Sequence, residues 1–151
     1  MKGEQTFDKA FTIWYHVVAM KIHSSKHSVY LLNYHIVWIP KYRRSILQGE
    51  IRESLFTILR RIAKERYWEI LALEVMPNHV HLFASVKPTT SPADMVKVFK
   101  GISARELLDK YPHLSRKTGC GTLWAPSYFV STAGNVSSET IRRYIEEQRG
   151  R

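Results

Sequence analysis

The chain has 151 residues, 44% of them hydrophobic and 24% charged, which suits one compact domain with a single core. Lys and Arg total 23 against 13 Asp and Glu, so the formal net charge of +10 predicts a polyanionic partner, most commonly nucleic acid. The single cysteine, Cys120, excludes an internal disulfide and fits a reducing cytoplasm, and no run of about 20 apolar residues suggests a membrane span.

Residues 1–19 are interpreted as an N-terminal extension, and residues 20–151 as a single domain. The apolar run at 10–20 resembles a short signal core, but Thr12 and His16 interrupt it and no small-residue cleavage site follows. The sequence therefore predicts no signal peptide.

The first half of the domain begins with a strand, a basic loop and a helix. Residues 29–39 are rich in β-branched and aromatic types and end at Pro40, a pattern typical of a strand. The loop 41–44 carries three basic residues. In residues 50–67, apolar side chains recur at helical spacing opposite basic ones, which predicts an amphipathic helix.

A hairpin follows this helix. Residues 68–75 predict a second strand, and the turn dipeptide Pro77–Asn78 separates it from a third strand at 79–86.

The second half repeats the alternation of helix and strand. Ser91–Pro92 supplies a cap and a first-turn proline for a second helix. Residues 123–132 predict a fourth strand, in which Pro126 indicates an edge position or a bulge. A final helix is predicted over 137–148. The order β-α-β-β-α-β followed by a helix predicts an α+β, ferredoxin-like or RRM-like antiparallel sheet with two helices on one face.

Two histidines on the third strand form a candidate metal site. His79 and His81 project from one face because residues two apart share a side of a strand, whereas Val80 and Leu82 line the other. Neutral imidazoles suit Zn, Mn, Ni or Cu ions and tolerate Mg²⁺ poorly. If the aliphatic face packs on the helices, both histidines emerge on the bare side of the sheet. The alternative is a pair of ordinary strand histidines, and a metal would need a third ligand from elsewhere.

The final helix carries a mixed stripe. Ile141, Tyr144, Ile145 and Gln148 recur at helical spacing, which places the phenol one turn before the carboxamide. Docking on a sheet does not require these polar groups, although an amphipathic helix with Tyr and Gln at its packing margin explains the same pattern.

Together the two stretches support a phosphoryl-transfer site. Two imidazoles and an amide oxygen could hold a divalent ion, and the Tyr144 hydroxyl could attack a phosphate bound there. Arg142 or Arg143 would favour the phenolate. The product would be a phosphotyrosine that retains the energy of the broken phosphodiester.

Four stretches, in this order and spacing, carry a resemblance: "YHIVWIPKYRRSIL" at 34–47, "VMPNHVHLF" at 75–83, "LWAPSYFVSTAG" at 123–134 and "SSETIRRYIEEQ" at 137–148. With the helices between them, the chain resembles the single-tyrosine HUH transposases of small insertion sequences over residues 22–148. Those enzymes move their elements as single-stranded DNA.

The resemblance implies a role for each matching residue. His79 and His81 match the metal-binding histidine-hydrophobe-histidine motif, Tyr144 matches the nucleophile, and Gln148 completes the metal shell. The implied cofactor is a divalent metal, Mg²⁺ or Mn²⁺.

The resemblance also implies the partners. It predicts a homodimer in which Tyr144 of one subunit serves the His79 and His81 site of the other, with single-stranded DNA hairpins at the element ends as substrate and no membrane partner. Candidate DNA contacts are Lys41, Tyr42, Arg43, Arg44, Arg142 and Arg143. A solvated basic turn is the alternative for the first four. Trp124 and Tyr128 could stack on bases, but burial is the preferred interpretation.

Other classes of protein share part of this pattern. A non-catalytic RRM-like module would share the strand order, but only Phe83 is aromatic on the third strand. A His-x-His-x-His nucleotidyl hydrolase would need a histidine where Phe83 stands. Replication initiators and relaxases with the same chemistry are usually larger, and a domesticated relative that processes hairpin repeats would share the catalytic residues.

Overall fold

The structure is a computed structural model that describes residues 23–30 and 32–132. The predicted extension at 1–19 and the predicted helix at 137–148, which would carry Tyr144 and Gln148, lie outside the described residues. In the described part, the strands are β1 His23–Ser24, β2 Val29–Tyr30, β3 Asn33–Trp38, β4 Glu69–Met76, β5 His79–Ser85 and β6 Phe129–Thr132. The α-helices there are α1 Gly49–Glu65, α2 Pro92–Lys110 and α3 Ser115–Thr118. None of the helices in these ranges combines the length and apolar character needed to cross a bilayer.

The main sheet confirms the predicted α+β, ferredoxin-like fold. Its strands lie in the order β4-β5-β3-β6 and every neighbouring pair is antiparallel. Because β5 lies between β4 and β3, the histidine-bearing strand occupies an interior position. The short strands β1 and β2 form a separate hairpin.

The two helices α1 and α2 follow the predicted pattern closely. Leu55, Leu59 and Ile62 of α1 are fully buried, as their spacing requires. The Ser91 hydroxyl accepts a hydrogen bond from the Asp94 backbone N–H at 3.1 Å, which is the expected N-cap of α2.

The core lies between these helices and one face of the sheet. Trp38 stacks on Phe99 with ring centroids 6.2 Å apart and meets Trp124 edge-on at 6.1 Å. Trp124 is 6% exposed, and its indole N–H donates to Ser103 at 3.0 Å. Burial of Trp124, the preferred interpretation, is therefore confirmed, and this ring is not available for base stacking.

The predicted fourth strand is shorter than expected. It was predicted over 123–132 but begins at Phe129, because Pro126 cannot donate to a ladder and interrupts the pairing. Trp124 instead forms an isolated bridge with Pro40, beyond the end of β3. The Lys100 ammonium donates to the carbonyl oxygens of Ala125 and Ser127, at 2.6 and 3.2 Å, and ties the interrupted segment to α2.

The first predicted strand is also divided. Residues 29–39 were predicted as one strand, but β2 ends at Tyr30 and β3 begins at Asn33. The two pieces have different partners, since β2 pairs with β1 whereas β3 lies in the main sheet.

Candidate active site

The alternation of β5 places the two histidines together, as predicted. Val80 and Leu82 are fully buried in the core, and the imidazoles of His79 and His81 lie on the opposite face with ring centroids 4.7 Å apart. The expected exposure is wrong for His81, which is only 4% exposed. This second face therefore provides a largely desolvated setting for polar chemistry.

The turn before His79 is fixed by contacts from α1 and the loop that precedes it. The Leu47 backbone N–H donates to the Pro77 carbonyl at 3.0 Å, and Arg52 Nε donates to the Val75 carbonyl at 3.0 Å. These bonds from a distant part of the chain hold the hairpin, and so hold the start of β5.

Asn78 determines which nitrogen of His79 carries the proton. Its Oδ1 lies 2.7 Å from His79 Nδ1, and because an amide oxygen only accepts, Nδ1–H is the donor. The lone pair of His79 is then on Nε2, which is the atom that would bind a cation.

His81 has a corresponding partner on the neighbouring strand. His35 Nε2 lies 3.2 Å from His81 Nδ1, and the two rings stack with centroids 5.5 Å apart and planes 24° apart. His35 stands opposite Phe83 in the register of β3 and β5 and is 5% exposed. His35 is not among the site residues predicted from the sequence, although the alternation of its strand places it on the same face as His81.

His35 and His81 are buried and His79 is half-buried, and all three imidazoles are neutral at physiological pH. Burial lowers the pKa of His35 to about 4. Burial, aided by the charge of Arg43, lowers the pKa of His79 to about 4. Burial also holds the pKa of His81 well below its usual range, with smaller effects from His79 and His35. Neutral imidazoles carry the lone pair that metal coordination requires.

The imidazole nitrogens of His79 and His81 can bind a divalent ion, but two ligands do not fill its coordination shell. Two neutral nitrogens are suited to Mn²⁺ or Zn²⁺. Glu74 pairs with His81 in the register and shares its face, yet within residues 23–30 and 32–132 no three His, Cys, Asp or Glu side chains are grouped to hold a metal. A further ligand of another type, or from another part of the chain, is needed.

The predicted basic loop lies close to this site. Lys41–Arg43 form a 3₁₀ turn in which Tyr42 and Arg43 have φ values of 60° and 53°, a region that non-glycine residues rarely occupy. The Tyr42 ring is 47% exposed, with the Lys41 ammonium 5.5 Å and the Arg44 guanidinium 5.9 Å from its centroid. Trp38 at the end of β3 pairs with Val80 of β5, so the turn follows the strand end that lies next to His79. The positive charge of Arg43 contributes to the lowered pKa of His79. The other predicted site residues, Arg142, Arg143, Tyr144 and Gln148, lie outside the described residues.

The aromatic face expected of an RNA-recognition module is missing from β5. Phe83, its only aromatic residue, is fully buried, and it meets His35 edge-on with centroids 6.4 Å apart. β5 therefore presents no exposed aromatic ring on which a base could stack.

The ferredoxin-like sheet, with a histidine-hydrophobe-histidine pair on an interior strand, is the arrangement expected from the resemblance to HUH transposases. Within that class, residues 28–148 match the family described as "Transposase IS200 like". The chain belongs to this family, and it is a transposase-type protein.

Individual relatives agree with the family match. The chain is 40% identical over 134 residues to the ISDra2 transposase TnpA of Deinococcus radiodurans, with 89% of this chain and 96% of the relative aligned. It is 31% identical over 125 residues to the transposase for insertion sequence element IS200 of Salmonella typhimurium, covering 83% and 82% of the two chains. A crystal structure of a Deinococcus radiodurans R1 protein matches with a TM-score of 0.76 and 41% identity, over 85% of this chain and 99% of the other.

Acid is expected to destabilise the protein in the presence of a chelator. His35 and His79 have pKa values of about 4 when folded and 6.5 in the unfolded chain, so the unfolded state binds more protons between these values. The free energy of unfolding should fall as pH drops below 6.5, by about 2 kcal/mol per histidine near pH 5.

Urea titrations across this pH range measure the effect. His35→Phe should flatten the dependence, because the variant has one fewer buried imidazole to protonate. His113→Asn should leave it unchanged, because that side chain is exposed in the folded protein. A free energy of unfolding that stays constant between about pH 7 and 5 would contradict the burial argument.

Proposed function

We propose that the protein cleaves and rejoins single-stranded DNA at the ends of an insertion sequence through a covalent 5′-phosphotyrosine at Tyr144. The observation that carries this proposal is the pair of neutral, oriented imidazoles at His79 and His81, on the sheet face away from α1 and α2. Family membership supports the DNA strand-transfer reaction, and the residues supply its mechanism.

His79, His81 and Gln148 would hold the divalent metal ion. When bound, the ion would polarise the scissile phosphate and offset the charge that develops on it. The nitrogen ligands favour Mn²⁺ over Mg²⁺ in affinity, although either ion could serve when abundant.

Tyr144 supplies the nucleophile. Its phenolic oxygen forms a bond to phosphorus, the bond from phosphorus to the 3′ oxygen breaks, and the departing strand takes up a proton as a 3′ hydroxyl. A phenol has a pKa of about 10, so the guanidinium groups of Arg142 and Arg143 assist by favouring the phenolate. Attack by another 3′ hydroxyl reverses these bond changes and rejoins DNA without ATP.

The DNA follows the basic surface beside the histidines. The turn of Lys41, Tyr42, Arg43 and Arg44 presents three cations and an exposed ring at the end of the sheet where His79 begins β5. These groups can bind phosphates and stack on a base of the single strand.

The active enzyme is proposed to be a homodimer that recognises hairpins at the element ends. In this assembly Tyr144 of one subunit acts at His79 and His81 of the other. The domain that carries these functions spans residues 20–151, with residues 1–19 as an extension.

Covalent trapping tests the proposal. The purified protein is incubated with Mn²⁺ or Mg²⁺ and a single-stranded oligonucleotide that contains the hairpin and flank next to its own gene. A labelled 5′-phosphate side should migrate with the protein on a denaturing gel, and a chelator should prevent the adduct. Binding of the hairpin without any adduct under these conditions would argue for the non-catalytic binding module.

Binding to the same DNA should depend steeply on salt. About six phosphate contacts would reduce affinity roughly 10³-fold between about 50 and 200 mM salt. Arg43→Gln should lower the slope of log affinity against log salt by about one unit. The matched control is Arg66→Gln, because Arg66 is an exposed arginine at the far end of α1, beside the end of the sheet opposite to the turn. If the slope of log affinity against log salt is the same for the two variants, the 41–44 turn does not belong to the DNA-binding surface.

A further inference from the structure

We propose that His35 is a positioning residue that orients His81 for metal binding by accepting a hydrogen bond from its Nδ1. This inference rests on the proposed metal site at His79 and His81, and it assigns a role to a third, buried histidine. His35 does not touch the metal or the DNA in this role.

A hydrogen bond donated by His81 to His35 would favour the tautomer of His81 that binds a metal through Nε2. An imidazole that binds a cation through Nε2 must carry its proton on Nδ1. His81 Nδ1 lies 3.2 Å from His35 Nε2, so Nδ1–H has an acceptor there when His35 carries its own proton on Nδ1. In a neutral imidazole one ring nitrogen donates and the other accepts, and this pairing requires one of each from the two rings.

The orientation is fixed by packing as well as by the bond. The His35 and His81 rings stack with a 24° angle between their planes, and Phe83 meets His35 edge-on at 89°. The β3 and β5 backbones hold the two histidines on adjacent cross-strand pairs of the register, at His35 with Phe83 and at Val37 with His81. A flipped His81 ring would present carbon to His35 Nε2 and lose the bond inside a desolvated site.

The Nδ1 atom of His79 has an equivalent partner, so both candidate metal ligands share this arrangement. Asn78 Oδ1 accepts from His79 Nδ1 at 2.7 Å, so each candidate ligand has its Nδ1 engaged by a neighbouring side chain. Both rings are thereby set to coordinate through Nε2. Partners of this kind commonly alter metal affinity by about 10- to 100-fold when removed.

Two substitutions distinguish the contribution of the hydrogen bond from the contribution of ring packing. His35→Phe keeps a ring of similar size against His81 but removes the acceptor. His35→Gln places an amide oxygen near the position of Nε2 and can accept the same bond. His113→Phe controls for loss of a histidine elsewhere, since His113 is exposed.

Mn²⁺ binding to the full-length protein without DNA, followed by electron paramagnetic resonance, gives the readout. His35→Phe should raise the dissociation constant for Mn²⁺ by about 10-fold or more. The dissociation constants of His35→Gln and His113→Phe should stay within about threefold of the wild-type value. Unchanged affinity in a folded His35→Phe protein would overturn the positioning role and leave the metal site intact. Failure of the wild-type protein to bind Mn²⁺ would overturn both the metal site and this inference.

Nitrogen-15 NMR of the wild-type protein tests the same inference without any substitution, and it decides the matter if His35→Phe does not fold. The His81 ring should show a protonated Nδ1 and an unprotonated Nε2. A His81 ring protonated on Nε2 instead would overturn the proposal.

Discussion

Tyr144→Phe is expected to abolish covalent attachment of DNA and to reduce strand cleavage by about 10⁴-fold or more, because the variant lacks the attacking oxygen. Hairpin binding should persist, since the proposed DNA surface and metal ligands are unchanged. The measurement is the yield of labelled adduct and of cleaved strand in single-turnover reactions.

The control for this substitution is Tyr67→Phe. Tyr67 is 87% exposed and lies between α1 and β4, at the sheet end away from the histidines, so removal of its hydroxyl should leave cleavage unchanged. An adduct of normal yield in Tyr144→Phe would assign the nucleophile to another residue, and the adducted peptide would identify it.

Mixing two inactive variants is expected to restore activity if the sites are shared between subunits. His79→Ala removes a metal ligand and Tyr144→Phe removes the nucleophile, so each homodimer should be inactive. A heterodimer with exchanged helices contains one intact site, and random pairing of equal amounts would restore roughly a quarter of the wild-type sites.

The control for the mixing experiment is a His79→Ala/Tyr144→Phe double variant combined with Tyr144→Phe. No subunit in that mixture carries the nucleophile, so no activity should appear. If the two single variants exchange subunits, as shown by differently tagged chains, and stay inactive, Tyr144 acts within its own subunit.

Much of the fold could be predicted because its signals are local. The period-two pattern of β5 and the turn at Pro77–Asn78 identified the hairpin and the shared face of His79 and His81. The α1 pattern identified that helix to within about two residues of each end, and the Ser91 cap identified the start of α2. The predicted β6 was too long, because Pro126 stops the ladder and the pairing of the preceding segment depends on Pro40, far away in the chain.

The environment of the site could not be predicted in the same way. His35 and His81 are 46 positions apart, and their contact exists only because β3 and β5 pair in one particular register. The burial of His81 and the position of Arg43 beside His79 are likewise products of chain segments that meet after folding.

The amino-acid sequence by itself determined the basic charge, the order of strands and helices, and the spacing of the histidines, because these depend on composition and on the short-range geometry of strands and helices. The tertiary structure alone decided which side chain contacts Nδ1 of each ligand histidine, that burial lowers the imidazole pKa values, and that His35 lies against His81. Those properties arise from desolvation and from hydrogen bonds across strand partners, and both appear only when distant segments are brought into register.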